Sequence, residues 1–149
     1  MSFSFAKKSS AQSTLNGSSE KKDDVKMYVD HREKGSQVIK QLIDKGVHVQ
    51  LEQLEHADYL LSSTVGVEYK TAEDFVNSII DGRLLDQLKM LKEQYTRPLV
   101  LIEGEDLYGI RNVHPNAIRG MIATIAINYS IPILFSKDAE ESASLLHLI

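Results

Sequence analysis

The chain has 149 residues, of which 42% are hydrophobic, and it contains no cysteine. This length and composition are typical of one globular domain, and the lack of cysteine excludes disulfides and thiolate metal sites. The net charge of −4 argues against a protein that holds nucleic acid by bulk positive charge. No apolar run reaches the roughly 18 residues of a membrane span. The lack of cysteine fits a reducing compartment, so we expect an intracellular protein.

Two regions differ in composition. Residues 1–24 are polar and rich in serine, which predicts a disordered tail or linker. Residues 25–149 carry the apolar periodicity of a folded domain.

Strands and helices alternate along this domain. The first helix is predicted to start at Ser36 as N-cap and to close at Gly46, and Thr71 opens a capping box. Short apolar or alternating runs predict strands at 25–30, 47–51, 58–61, 65–70, 98–102 and 131–135. Apolar stripes with helical spacing predict five helices. Two begin after Ser36 and Thr71, two span 84–95 and 115–128, and the last begins at Ser136 as its cap and runs to residue 146. This order predicts an α/β sandwich around a mixed sheet.

The segment 58–70 predicts a hairpin with charged residues on one face. If the turn is centred on Ser63, Asp58 lies opposite Glu68, at the roughly 4.5–5.5 Å between Cβ atoms of paired residues. Lys70 shares the face of Glu68, whereas Tyr69 points to the other. On this pattern alone, a surface hairpin with solvated charges remains an open alternative.

A close pair of carboxylates is unfavourable unless a proton or cation lies between them, since their repulsion is about 4 kcal/mol at 4 Å near a protein surface. Oxygen ligands suit Mg²⁺ or Mn²⁺. The five histidines show no paired ligand spacing, and the acids at 103, 105 and 106 are interpreted as a solvated loop.

The hairpin segment resembles the active-site signature of the XPF/Hef structure-specific endonucleases, Gly-Asp, a gap, and Glu-Arg-Lys-x-x-x-Asp. In this chain the acids and the lysine match, but alanine replaces the glycine at 57 and tyrosine replaces the arginine at 69. The similarity runs from about 25 to 149 and is greatest to the archaeal Hef nuclease domain. Supporting segments are Val29–Glu33, Ile80–Leu84 and Tyr108–Pro115.

The resemblance implies a three-layer α/β/α restriction-endonuclease-like fold and Mg²⁺- or Mn²⁺-dependent cleavage of branched DNA, such as forks and flaps, in repair. It implies metal ligands at Asp58 and Glu68 with help from Asp30 or Glu33. Arg32 would face the scissile phosphate and Lys70 would stabilise the developing charge.

Other implications of the resemblance concern the assembly. It implies a homodimer, with a helicase module and a helix-hairpin-helix module in the full-length protein. Asp74 belongs to the family motif, although a first-turn carboxylate also stabilises a helix start.

The two departures leave a second hypothesis open. Without the arginine, the domain is expected to cleave slowly, or to serve as an inactive scaffold for dimerisation or DNA docking. A plain interaction domain without a DNA role is a third alternative.

Overall fold

The computed structural model describes residues 26–149, so the predicted tail at 1–24 lies outside the described residues. Six strands form one sheet: β1 (Lys26–Asp30), β2 (His48–Glu52), β3 (Tyr59–Leu60), β4 (Val65–Thr71), β5 (Arg97–Glu103) and β6 (Ile133–Ser136). Five α-helices accompany them: α1 (Gln37–Asp44), α2 (Ala72–Ile80), α3 (Leu84–Gln94), α4 (Pro115–Ala123) and α5 (Ala139–Leu148).

The sheet is mixed, with spatial order β2-β1-β3-β4-β5-β6. β3 runs antiparallel to both of its neighbours, whereas β1–β2, β4–β5 and β5–β6 pair in parallel. The hairpin therefore supplies the antiparallel centre, and helical crossovers connect the parallel pairs, as the alternation of elements predicts.

Helices cover both faces of the sheet. In β5 the buried residues alternate, with Val100 and Ile102 in one apolar cluster and Leu99 and Leu101 in the other. The first cluster contains residues of α2, α3 and α4, and the second contains residues of α1 and α5. This confirms the predicted three-layer arrangement, with β5 buried on both faces.

Most predicted helix ends are confirmed. Ser36 Oγ accepts the amide of Ile39 at 3.2 Å, and Thr71 Oγ1 accepts the amide of Asp74 at 3.1 Å. Gly46 follows α1 with a φ of +85°, the left-handed conformation that favours glycine at a helix end.

The prediction of Ser136 as the cap of the last helix is wrong. Ser136 ends β6 and is buried, with its hydroxyl 2.6 Å from that of Ser142. Asp138 caps α5 instead and accepts the amide of Glu141 at 2.9 Å. Asp138 is exposed to water beside the helix start, whereas Ser136 is buried and its hydroxyl is used within the core.

The predicted helix at 115–128 changes geometry near its end. α4 starts with Pro115 in its first turn and passes into a π-helical turn at Thr124–Asn128. Ile118 and Ile125 are buried as predicted, and Ile127 is 75% exposed. Within the described range, no helix has the length and apolar character needed to cross a membrane.

Candidate active site

The β3–β4 hairpin has the predicted register. Tyr59 pairs with Val67, and the amide of Asp58 donates to the carbonyl of Val67 at 2.8 Å. Carried one residue further, this register sets Asp58 opposite Glu68. Because Tyr59 and Val67 belong to the cluster beneath α1 and α5, the alternation of side chains directs both carboxylates to the side of α2–α4.

Glu68 and Lys70 share that face, as predicted. Lys70 Nζ lies 3.6 Å from Glu68 Oε1, and their side chains are only 8% and 14% exposed, respectively. Solvated surface charges would be far more exposed. The alternative of a surface hairpin with solvated charges is therefore not supported at these two residues.

Burial raises the pKa of both carboxylic acids. Burial, followed by the charge of Asp58, raises the pKa of Glu68 to about 7, against the opposing effect of Lys70. Burial also raises the pKa of Asp58, although the amide of Tyr69, 2.8 Å from Asp58 Oδ2, and the Arg32 cation oppose it. Proton uptake near neutral pH or a bound cation would relieve this repulsion.

Asp30 holds Arg32 in place at the end of β1. Asp30 Oδ1 accepts the amide of Leu54 at 2.8 Å, and Oδ2 accepts both the amide and the Nε–H of Arg32. Although burial acts the other way, these hydrogen bonds hold the pKa of Asp30 below its usual value. Both Asp30 oxygens therefore have protein donors, while the Arg32 side chain is 68% exposed.

A cavity of about 270 Å³ lies over the carboxylate pair. Arg32, Asp58 and Glu68 line it, which brings three of the predicted site residues to one opening. The remaining walls are Glu55 and His56 from the β2–β3 loop and Asp86, Gln87 and Met90 from α3. We did not predict these five residues. The only sequence signal for those on α3 is their position beside its buried leucine stripe.

Glu33 is not among the residues that line this cavity. Its Oε2 accepts the hydroxyl of Tyr59 at 3.4 Å, and Tyr59 points to the opposite face of the sheet. Burial, then the charge of Asp58, raises the pKa of Glu33 to about 7. Glu33 therefore feels the charge of Asp58, but the Glu33 carboxylate contacts the Tyr59 hydroxyl outside the cavity.

Tyr69 points away from Glu68 and Lys70, as predicted. Its ring meets that of Tyr59 edge-on at 6.1 Å between centroids, and its hydroxyl donates to Glu103 Oε2 at 2.7 Å. Burial and Glu103 raise the pKa of Tyr69, so the phenol stays protonated. Tyr69 thus belongs to a network on the far face of β4.

The interpretation of Glu103 as a solvated loop residue is wrong. Glu103 is half-buried at the end of β5 and also accepts the hydroxyl of Ser142 at 2.7 Å. It holds Tyr69 and α5 together, because the parallel β4–β5 register places it beside the end of β4. Sequence periodicity gives no signal for a contact between residues 34 positions apart.

Three other charged residues have structural partners. Asp74 is exposed in the first turn of α2, where a carboxylate interacts favourably with the helix dipole. Arg83 pairs with Asp81 at 2.9 Å, and Arg111 Nε donates to Asn77 Oδ1 at 3.2 Å. The structure does not bring these residues into the lining of the cavity.

The donor set tests whether a divalent cation suits the cavity. Among residues 26–149, no three His, Cys, Asp or Glu side chains form a cluster that could hold a metal ion. A cation that keeps several waters and shares the rest of its shell with a phosphate needs only one or two carboxylates. Asp58 and Glu68 supply two, with raised pKa values that a cation would reverse, and so they fit Mg²⁺ or Mn²⁺.

The fold and this cavity define a restriction-endonuclease-like α/β domain with buried acids at the edge of a central hairpin. A family model described as the ERCC4 domain matches residues 29–149. The chain belongs to the ERCC4 domain family, and the predicted resemblance to the XPF/Hef endonucleases is confirmed.

Curated relatives support this placement. The chain is 47% identical over 125 residues to a protein of Methanocaldococcus jannaschii named as an ATP-dependent RNA helicase, a match that covers 84% of this chain and 15% of that one. It is 35% identical over 127 residues to the 3′-flap repair endonuclease Xpf of Saccharolobus solfataricus, covering 84% and 54%. The chain thus spans about half of one relative and a small part of the other.

Solved structures agree with the fold. XPF from Aeropyrum pernix in complex with DNA superposes with a TM-score of 0.78 at 32% identity. The match covers 82% of this chain and 61% of that one. A second structure, of XPF from Aeropyrum pernix, gives a TM-score of 0.79.

Proposed function

We propose that this domain is a structure-specific endonuclease that hydrolyses phosphodiester bonds in branched DNA, such as forks and flaps, with Mg²⁺ or Mn²⁺. The observation that carries the proposal is the buried pair of Asp58 and Glu68 with Lys70 on the same face. The names of its relatives, a 3′-flap repair endonuclease and an XPF complexed with DNA, support the same substrate class.

Each side chain has a distinct task in this proposal. Asp58 and Glu68 would hold the cation, which supplies Lewis acidity and activates water when bound. Arg32, positioned by Asp30, presents two or more N–H groups that suit a phosphate. Lys70 opposes the negative charge that develops in the transition state.

Asp30 has a narrower role than the resemblance implies. Its two oxygens already accept three protein hydrogen bonds, so it supports Arg32 in this proposal. Glu33, held by Tyr59, influences the site through its charge.

The inactive-scaffold alternative is less favoured by this geometry. Burying two carboxylates near each other costs free energy that only a proton or a cation can offset. A domain kept solely for docking gains nothing from such a pair.

DNA binding is expected to need more than this domain. Residues 25–149 carry a net charge of −5 and residues 1–24 a charge of +1, so few phosphates can be neutralised by bulk charge. We therefore include in the proposal a homodimer and, in the full-length protein, helicase and helix-hairpin-helix modules. The relative named as a helicase supports the first of these modules.

The proposed dimer surface lies near the β6 edge of the sheet. Ile127 after α4 and Phe135 on β6 are 75% and 50% exposed. Phe135 pairs with Ile102 and so faces the same side of the sheet as α4. These apolar side chains suit a second copy of this domain.

Cleavage of a labelled fork tests the function. We expect Asp58→Asn and Glu68→Gln each to lower the single-turnover rate in Mg²⁺ or Mn²⁺ by about a hundredfold or more, since a bound cation contributes several kcal/mol to the transition state. Glu140→Gln, which changes an exposed carboxylate on α5, is the matched control and should cleave normally. Unchanged rates in either site variant, with native circular dichroism, would refute the proposal.

A further inference from the structure

One wall of the cavity is an amide that the proposed mechanism leaves unused. Gln87 lies in the first turn of α3, directly before Leu88, which is fully buried against the sheet. This position turns the Gln87 side chain toward the cavity over Asp58 and Glu68.

The oxygen of this amide has no partner. Among residues 26–149, Gln87 Oε1 is the buried side-chain atom that lacks a hydrogen bond. Native structures satisfy nearly all buried polar atoms, and an exception calls for a bound water, a bound ion or a functional reason. The Gln87 side chain lines the same cavity as two carboxylates whose repulsion calls for a cation.

The chemistry of the cavity indicates which ligand would use this oxygen. Among the described residues, no three His, Cys, Asp or Glu side chains form a cluster that could hold a metal ion, and Gln87 adds a polar group of another type to the cavity. A side-chain amide oxygen suits a hard divalent cation and its waters. Because it is neutral, it adds no repulsion to the carboxylate pair.

We infer that Gln87 is a positioning residue for the divalent cation, with Oε1 accepting a hydrogen bond from the water shell of the ion held by Asp58 and Glu68. The inference rests on the proposed function and extends it to α3. Helix α3 would thereby help to fix the position of the bound ion and its waters relative to the hairpin, as outer partners of a metal do elsewhere.

Mn²⁺ binding to the whole chain without DNA tests this directly. Free Mn²⁺ is measured by electron paramagnetic resonance during titration of the unaltered chain and of each variant. We expect Gln87→Leu to raise the Kd about tenfold, at the lower end of the range for outer-shell partners. Gln87→Glu keeps an acceptor oxygen at the same reach and should bind at least as tightly as the unaltered chain.

Two controls separate positioning from structure. Gln94→Leu makes the same exchange at an exposed residue of α3 and should leave the Kd unchanged. Thermal unfolding without metal should give Gln87→Leu a melting temperature equal to or above that of the unaltered chain, since the exchange removes an unsatisfied polar atom.

The outcomes distinguish the inference from the function it rests on. A Gln87→Leu chain with unchanged Kd, where Asp58→Asn binds weakly, would overturn the role of Gln87 and leave the carboxylate site intact. A Gln87→Glu chain that binds as poorly as Gln87→Leu would also overturn it. Mn²⁺ binding that is indifferent to Asp58→Asn would remove the proposed site and this inference together.

Discussion

The carboxylate pair should make the metal-free domain less stable as the pH rises. Burial and Asp58 raise the pKa of Glu68 from 4.5 to about 7 in the folded state. The folded chain therefore holds this proton more tightly than the unfolded chain does. The resulting stabilisation is complete below pH 4.5 and is lost as the pH rises through about 7.

The expected magnitude follows from the two pKa values of Glu68. Between pH 5.5 and 8.0, this one group should lower the free energy of unfolding by about 2 kcal/mol. Glu33, with its pKa also raised to about 7, acts in the same direction. The pKa of Asp30 is lowered, so Asp30 stays ionised across this range and contributes no slope.

Urea unfolding followed by circular dichroism at both pH values, without divalent ions, measures the loss. Glu68→Gln removes the titrating group and should lose about 2 kcal/mol less than the unaltered chain over the same range. At pH 8.0, Mn²⁺ at a hundred times its Kd should add about 2.7 kcal/mol to the unaltered chain, enough to offset the loss.

Two results would refute this reasoning. A free energy of unfolding that is flat or rises between pH 5.5 and 8.0 would mean that Glu68 does not hold its proton near neutrality. An equal slope in Glu68→Gln would assign the titration to other groups, with Glu33 the first to examine.

Two further predictions concern activity and assembly. Tyr69→Arg should raise the single-turnover cleavage rate by about ten- to a hundredfold, since one charge-assisted contact contributes roughly 1.5–3 kcal/mol. The metal requirement should not change. A rate equal to or below that of the unaltered chain would show that the tyrosine is neutral or compensated. The domain should sediment as a dimer at micromolar concentration and as a monomer after Ile127→Asp, whereas a 16.7 kDa species alone in the unaltered chain would contradict the dimer.

Local patterns predicted the centre of the molecule well. The hairpin register follows from a polar turn between two short apolar runs, and a strand has a period of two. Helix starts at Ser36 and Thr71 follow from side chains that bond amides three residues away. Each of these features depends on residues close in sequence, which is why the sequence alone predicts them.

The walls and supports of the site depend on distant contacts. Gln87 reaches the cavity because α3 packs its leucines on the sheet, and Glu103 reaches Tyr69 because β5 pairs with β4. Neither residue stands in a motif with a recognisable spacing. Likewise, the raised pKa of Glu68 comes from burial by elements far along the chain, so spacing could predict the pair but not its burial.

The two faces of β4 explain how the chain can depart from the family signature at residue 69 and keep its site. Glu68 and Lys70 lie on the face covered by α2–α4, while Tyr69 lies on the face covered by α1 and α5. Tyr69 is held by Glu103, which is also hydrogen-bonded to Ser142. A change at 69 therefore acts through the far network and leaves the acids and the lysine in register. Glu33, which follows β1, and Glu103, at the end of β5, lie near Tyr69. An arginine at residue 69 would therefore lie near both carboxylates. We expect its benefit to cleavage to arise from neutralising these charges behind the hairpin, so that residue 69 modifies the rate while the Asp58–Glu68 pair is required for cleavage.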